Sequence, residues 1–569
     1  MKKVKLDGLT GLGTQAIIAV ELAVELDSMS SKEIVLNLGA AENLIDGKNI
    51  SYKYSKISNC IQELKLVKKK WKDVLEKIQV YTPIESINIM LNGWVLYQTI
   101  SSRLLGRTGF YQSGGAYGFR DQLQDTLALK YTSPDKIKKQ IIKHAKHQFI
   151  EGDVLHWWHE ETSRGIRTRF SDDLLWLAFL TEEYIEVTGD KKILDIKVPY
   201  LAGKVLEKEE KERYDLYSPS NIEEDIYSHI MKAINKSLDF GEHGIPKIGT
   251  GDWNDGFSEV GSKQKGESVW LGFFLYTVIN RFLPFIEERE GTEKREEYEK
   301  IINNMKRALN TEGWDGRWFR RAFMDDGNIL GSIENEECRI DSIAQSWSVI
   351  SGAGDNDKKF ISMESLENHL VDKENGIIKL LDPPFENGKL EPGYIKSYLP
   401  GVRENGGQYT HGSIWAIIAE TLLGFGDKAT ELYRMINPIE QSKTKDASNK
   451  YKVEPYVITA DIYGVGNLAG RGGWTWYTGS SSWFYKAGIE YILGIKIQNN
   501  VLRIEPCIPK NWREFCVRYK YKDSIYNIKV LNKDAKNSGV RCVKVNEVEC
   551  KNEIVLDGTG KIFNVLVEM

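Results

Sequence analysis

One pattern limits what this chain can fold into. Between residues 85 and 490, apolar stretches at helical spacing alternate with long loops rich in Gly, Asp and Trp. The stretch "SDDLLWLAFLTEEYIEVTGD" shows the unit. Ser171 is placed to cap, two acids occupy the first turn, apolar residues follow at helical spacing, and Gly189 ends it. "HGSIWAIIAETLLGFGD" repeats the scheme around Ile414–Leu423. About a dozen such segments fit into the span. Paired helices in that number predict a mainly α fold over 85–492, an (α/α)6 toroid with its loops gathered at one end.

The flanks read differently. Residues ~11–45 alternate in strand fashion ("TQAIIAVELAVEL", "KEIVLNLGAA"). Two strands do not make a domain, so 1–50 is expected to be the tail of a truncated N-terminal β-sandwich. Ile57, Ile61, Leu64, Trp71, Val74 and Leu75 lie near helical spacing and predict a linker helix within 51–84. From 493 to 569, short alternating runs such as "VLRIEPCIP" and "FNVLVEM" predict a small C-terminal β-sandwich.

Composition excludes several functions. With 77 basic and 81 acidic residues, the net charge of −4 gives no electrostatic case for a nucleic-acid partner. The six cysteines form no CxxC pair, which suits a reducing compartment. Asp7, Glu21 and Glu25 interrupt the apolar start, against a signal peptide. The most apolar stretch, Val269–Ile286, carries Asn280, Arg281 and Pro284, so a buried helix is expected rather than a membrane span. A soluble, cytoplasmic protein is the expectation. The 15 Trp and 27 Tyr supply flat faces that suit both a core and sugar rings.

Four loops are richer in Trp, Gly and charge than connection requires: "GRTGFYQSGGAYGFRDQLQD" (Gly106–Asp125), "GTGDWNDGF" (Gly249–Phe257), "RENGGQYTHGSIW" (Arg403–Trp415) and "GRGGWTWYTGSSSW" (Gly470–Trp483). On these strings the chain resembles glycoside hydrolase family 94, the inverting cellobiose and chitobiose phosphorylases. Within it, the likeness is to the phosphorylase-like part of cyclic β-1,2-glucan synthases. "HWWHEETSRGIRTRFSDDLLWL", "CRIDSIAQSW" and "EPYV" carry the same flavour.

The resemblance implies single-displacement phosphorolysis. Inorganic phosphate is the co-substrate, attacking the anomeric carbon of a β-glycoside to give an α-sugar 1-phosphate, and no cofactor is needed. Asp255 of "GDWND" is the implied general acid, with Asp252 its rival. Phosphate is already anionic, so one essential carboxyl suffices where a hydrolase needs two. Arg107, His411, Thr478 and the Gly479 N–H are the implied phosphate ligands. Asp121, Arg120, Trp253 and Tyr398 are the implied sugar contacts, although Arg120 and Asp125 also suit a structural ion network.

The chain departs from the family pattern at Gly114 and Gly115, where cellobiose-type members carry arginine, and at "ITAD" after "EPYV". β-1,2-Linked oligoglucans are therefore preferred over cellobiose as substrate. The family's front sandwich takes part in dimers, which makes a homodimer one outcome of the resemblance. His144, His147, His156 and His159 form two HxxH pairs. No cysteine cluster accompanies them, so no metal is expected, and His156 or His159 remains a candidate to touch substrate. Two alternatives stay open: an inverting hydrolase using Glu404 or Asp121 as base, and a non-catalytic sugar-binding protein.

Overall fold

The computed structural model describes residues 19–109 and 112–569. The chain divides into two compact units, Met1–Asp73 and Val74–Met569. In the first, residues 19–42 form neither helix nor strand. The β segment expected over 1–50 is absent from its described part, and residues 1–18 lie outside the described residues. Val20, Leu22 and Leu26 stay exposed, because a lone strand pair has no sheet face to bury them against. Leu44–Lys53 is instead a helix capped by Asn43, whose side chain accepts from the Asp46 N–H. The helix Ile57–Leu75 follows, close to its expected place.

The linker expected over 51–84 ends early. Ile78–Tyr81 is a strand that pairs antiparallel with Glu514–Tyr521, Val80 opposite Val517. Ile78 and Val80 alternate into the core with almost no exposure, a period-2 pattern that a helix cannot satisfy. The strand thus joins a six-stranded sheet otherwise built from the C-terminal region. A three-stranded sheet of Ile495–Gln498, Val501–Ile504 and Ile554–Val555 lies beside it in sequence.

Between these β parts the second unit is mainly helical. Six helices follow one another in contact: Phe119–Asp125 touches Leu175–Thr188, which touches Val269–Glu290, then Ser342–Ile350, Thr410–Leu422 and Ser480–Lys486. The last touches the first again. A second set packs on these: Pro134–Ala145, Ile226–Lys236, Thr292–Thr311, Asn356–Leu370, Gly426–Met435 and Val95–Gln98. The first set is buried nearly all round; Trp176, Trp270, Trp347 and Trp415 are fully enclosed. Val269–Glu290 is long and apolar enough to cross a membrane by length and composition, but 78% of its apolar window is inside the protein.

Local signals explain most ends. Gly189 adopts φ 69° and returns its N–H to Ile185, closing Leu175–Thr188. Ser171 does not cap that helix, which starts later with Leu174 before it. Its hydroxyl and N–H both go to the Gly251 carbonyl, so the serine ties down the "GTGDWNDGF" loop instead.

Candidate active site

A cleft of about 460 Å³ opens where helices of the first set begin. Arg120 and Asp121 come from the first turn of Phe119–Asp125, His411 from the first turn of Thr410–Leu422, and Thr478 and Gly479 precede Ser480–Lys486. Trp253 and Asp255 reach it from the "GTGDWNDGF" loop. Helix N-termini bring partial positive charge and spare N–H groups to that end.

The loop's own chemistry separates its two aspartates. Asp252 accepts from the Asn254 N–H at 3.0 Å and Asn254 from the Gly256 N–H at 3.1 Å, two successive Asx turns. Gly251 sits at φ 146°, and a Cβ there would strike the Phe170 ring at 2.4 Å. These turns point Asp252 inward, where Arg321 grips it with two 2.7 Å bonds and Ser268 donates at 2.6 Å. Asp252 is fully buried; Asp255, three residues on, lines the cleft with its side chain 29% exposed.

Arg120 organises the charge around Asp255. Its guanidinium donates to Asp255 Oδ1 at 2.8 Å, to Asp172 at 3.4 Å and to the Asp252 carbonyl at 3.2 Å. Asp121 faces both Arg120 and Arg103. Burial works against its charge, but Arg103 and then Arg120 outweigh burial and hold the carboxyl below its usual range. Asp125 is buried against Arg103 at 2.9 Å, and burial pushes it up to about 7. Trp253 forms a wall, edge-on to Tyr409 and 4.9 Å from Trp415.

Across the cleft, burial drives His411 down to about 3, so the ring is neutral, and its buried Nδ1 has no hydrogen-bond partner among the described residues. A Cβ on Gly479 would stand 3.1 Å from His411 Nε2 and from Asp125 Oδ1, so glycine lets the chain pass close to both. Thr478 Oγ1 accepts from the Ser480 N–H at 3.2 Å, shaping the start of the helix.

Two expected residues are not in the lining. Arg107 turns away: at φ 50° it ends the preceding helix, lies 4.1 Å over Tyr117 and donates to the Gly115 carbonyl at 2.9 Å. Arg103, one turn earlier, takes the inward position, 4.0 Å over the Tyr477 ring. Tyr398 sits behind, 5.2 Å from the Arg403 guanidinium, while Tyr394 lines the cleft. Each replacement lies four residues before the expected residue, and in both pairs the expected residue follows the end of a helical turn, Arg107 after Thr99–Gly106 and Tyr398 after Tyr394–Ser397. Arg403, Glu404 and Tyr409 also line the cleft.

The four histidines divide. His144 and His147 pack around Trp158, at 5.1 and 3.9 Å, with their Nδ1 atoms on backbone carbonyls. His156 and His159 face the cleft from strand Leu155–His159. Among the described residues no group of three or more His, Cys, Asp or Glu side chains is placed to hold a metal ion.

A family model described as the glycosyl hydrolase 94 superfamily, catalytic domain, matches residues 70–494. The chain is 41% identical over 551 residues to a cyclic beta-(1,2)-glucan synthase of Rhizobium meliloti, covering 96% of this chain and 19% of that protein. It is 31% identical over 503 residues to a solabiose phosphorylase of Paenibacillus borealis, covering 87% of this chain and 60% of that one. The chain thus spans 19% of the length of the first of these relatives and 60% of the second. A Bacillus rhamnosidase structure shares the fold alone, with a TM-score of 0.51 at 10% identity over 80% of this chain and 42% of its own. On the family match, which takes in every cleft-lining residue named above, the chain belongs to the glycosyl hydrolase 94 superfamily.

Proposed function

We propose that this protein is an inverting phosphorylase of β-linked gluco-oligosaccharides, with β-1,2-linked chains preferred. Inorganic phosphate is its co-substrate and it needs no cofactor. The observation that carries the reading is the meeting, in one cleft, of a half-exposed carboxyl at Asp255 with the His411, Thr478 and Gly479 group. Asp255 protonates the leaving glycosidic oxygen. Phosphate lies against His411, Thr478 and the Gly479 N–H, at the start of a helix whose dipole favours an anion. A bound phosphate favours the protonated form of a neighbouring acid. Asp121 accepts from sugar hydroxyls, Trp253 backs the ring, and Arg120 and Arg103 hold the carboxylates in place. Names among the relatives, a β-1,2-glucan synthase and a phosphorylase, support the linkage and the reaction. The closed succession of six helices with a second set packed on them supports an (α/α)6 toroid.

The test is phosphate release from α-glucose 1-phosphate with glucose, cellobiose, sophorose, laminaribiose and N-acetylglucosamine as acceptors. Release with sophorose above the others is the expected result; no release with any of them overturns the reading. One observation favours a second reading: Glu404 lines the same cleft at 8% exposure and would serve an inverting hydrolase as base for water. Hydrolysis of a β-1,2-oligoglucan at an unchanged rate without phosphate would select it.

A further inference from the structure

His156, a candidate from the sequence to touch substrate, stands in the cleft lining beside Asp255. Its ring stacks on Phe170 at 4.4 Å, its Nδ1 is 2.7 Å from the buried carboxylate of Asp173, and its Nε2 is 3.7 Å from Asp255 Oδ2. A carboxylate on Nδ1 keeps a proton there, so Nε2 is the nitrogen that gains or loses one. The other Asp255 oxygen, Oδ1, accepts from Arg120 at 2.8 Å. The proton that Asp255 delivers therefore belongs on Oδ2, the oxygen that faces His156. Contacts of this length shorten when substrate fills a site.

We propose that His156 is a positioning residue for Asp255, storing on Nε2 the proton that Asp255 Oδ2 hands to the leaving group. The proposal rests on the phosphorylase reading above. In phosphorolysis the Nε2–H bond breaks, its electron pair stays on the nitrogen, and an Oδ2–H bond forms. Oδ2 then passes the proton to the glycosidic oxygen as the anomeric C–O bond breaks and a phosphate oxygen bonds to the carbon. The sugar 1-phosphate forms as a monoanion, and its proton restores the imidazolium. Synthesis runs the same steps backwards.

The charged groups facing His156 are Asp173, Asp255, Arg120 and Asp121. Burial pulls the imidazole down, Asp173 and then Asp255 outweigh it, Arg120 opposes them, and the balance raises His156 to about 9. The pair thus holds a proton at neutral pH, where a lone surface carboxyl would not.

The test compares pH–rate profiles of the full chain and its His156→Gln variant in phosphorolysis of the oligosaccharide selected by the acceptor panel. The expected result is a kcat at least 50-fold lower at pH 8, an optimum moved at least one unit to acid, and a KM for phosphate within threefold of the parent. A variant that keeps the parent's profile, or loses rate equally at every pH, overturns the proposal. Asp173→Asn should move the same limb in the same direction. Independently of any variant, 15N titration of the parent protein should show the His156 ring protonated up to pH 8; deprotonation near 6.5 overturns the proposal. The phosphorylase reading fails separately, if the parent shows no phosphate-dependent turnover or if Asp255→Asn is fully active.

Discussion

Two charge clusters lie in the helical unit, and they differ in how far their carboxyls stay open to solvent. At the cleft, Arg120, Asp121, Asp255 and His156 surround a space open to solvent, with Asp255 29% and Asp121 44% exposed at the side chain. Farther along the same chain segments, Lys130, Glu183, Lys486 and Glu490 form a closed set, each less than a tenth exposed. Lys130 meets Glu183 and Glu186 at 2.6 Å, Lys486 meets Glu183 and Glu490 at 2.9 and 2.8 Å, and Arg281 adds Glu182 and Glu183. In the closed set every charge is answered by protein. In the open set each charge also meets a partner, but Asp255 and Asp121 keep part of their surface toward the cleft, which leaves room for a substrate. Burial of charge alone marks neither function nor stability; a carboxyl left partly open to a cleft marks the candidate site.

Four experiments would break or sharpen that contrast. Asp255→Asn should lower kcat by about 10²–10⁴, the range for a lost general acid, with an unchanged melting temperature. A stability loss with activity retained would place Asp255 in the structural class. Lys486→Met should do the reverse. Removing one partner of a buried pair costs about 3–5 kcal/mol, seen as a lower denaturant midpoint, while kcat of the folded fraction stays the same. Gly479→Ala inserts a methyl beside His411 Nε2 and Asp125 Oδ1, an overpacking worth about 1–3 kcal/mol. It should raise KM for phosphate more than KM for the oligosaccharide; equal rises would remove Gly479 from the phosphate group.

The smallest effect is in stability against pH. Burial lowers His144 and His411 to about 3 and His147 and His229 to about 4. Below the ordinary histidine value of 6.5 the unfolded chain binds these protons and the folded chain does not. Their contribution is present above pH 6.5 and is lost as pH falls toward 4. His156, raised to about 9, works in the opposite sense: its contribution is present below pH 6.5 and is lost as pH rises through 9. The histidine share of the melting-temperature profile should therefore rise to near pH 6.5 and decline more gently above it, while Asp125, Asp172 and Glu182, pushed up to about 7 by burial, work the other way as pH rises from 4 to 7. His156→Gln should remove part of the alkaline decline and leave the acid limb alone.

Much of the helical unit and its site could be read in the sequence, because the signals are local. Gly189 stops a helix through its own backbone, and "GTGDWNDGF" builds its turns from Asp252 and Asn254 within a few residues. The strings around Arg120, Asp255, His411 and Gly479 meet in one cleft, because each loop carries its residues as a unit. The structure departs from the sequence pattern where neighbours look alike locally and only a distant partner distinguishes them. Ser171 has the chemistry of a cap but bonds to Gly251, eighty residues on. Arg103 and Arg107 lie four residues apart, and their directions follow from Tyr477, Asp125 and Tyr117.

The strand patterns make the same point. Ile78–Tyr81 and residues 19–42 both alternate, yet only the first has an edge to pair with, at Glu514–Tyr521, more than four hundred residues away. Periodicity, caps and turn residues act over a few peptide units, so they specify which elements form and which residues travel together. The inward member of a pair, the buried aspartate of the two and the strand that finds a sheet depend on contacts between distant segments, whose burial and charge no short window contains.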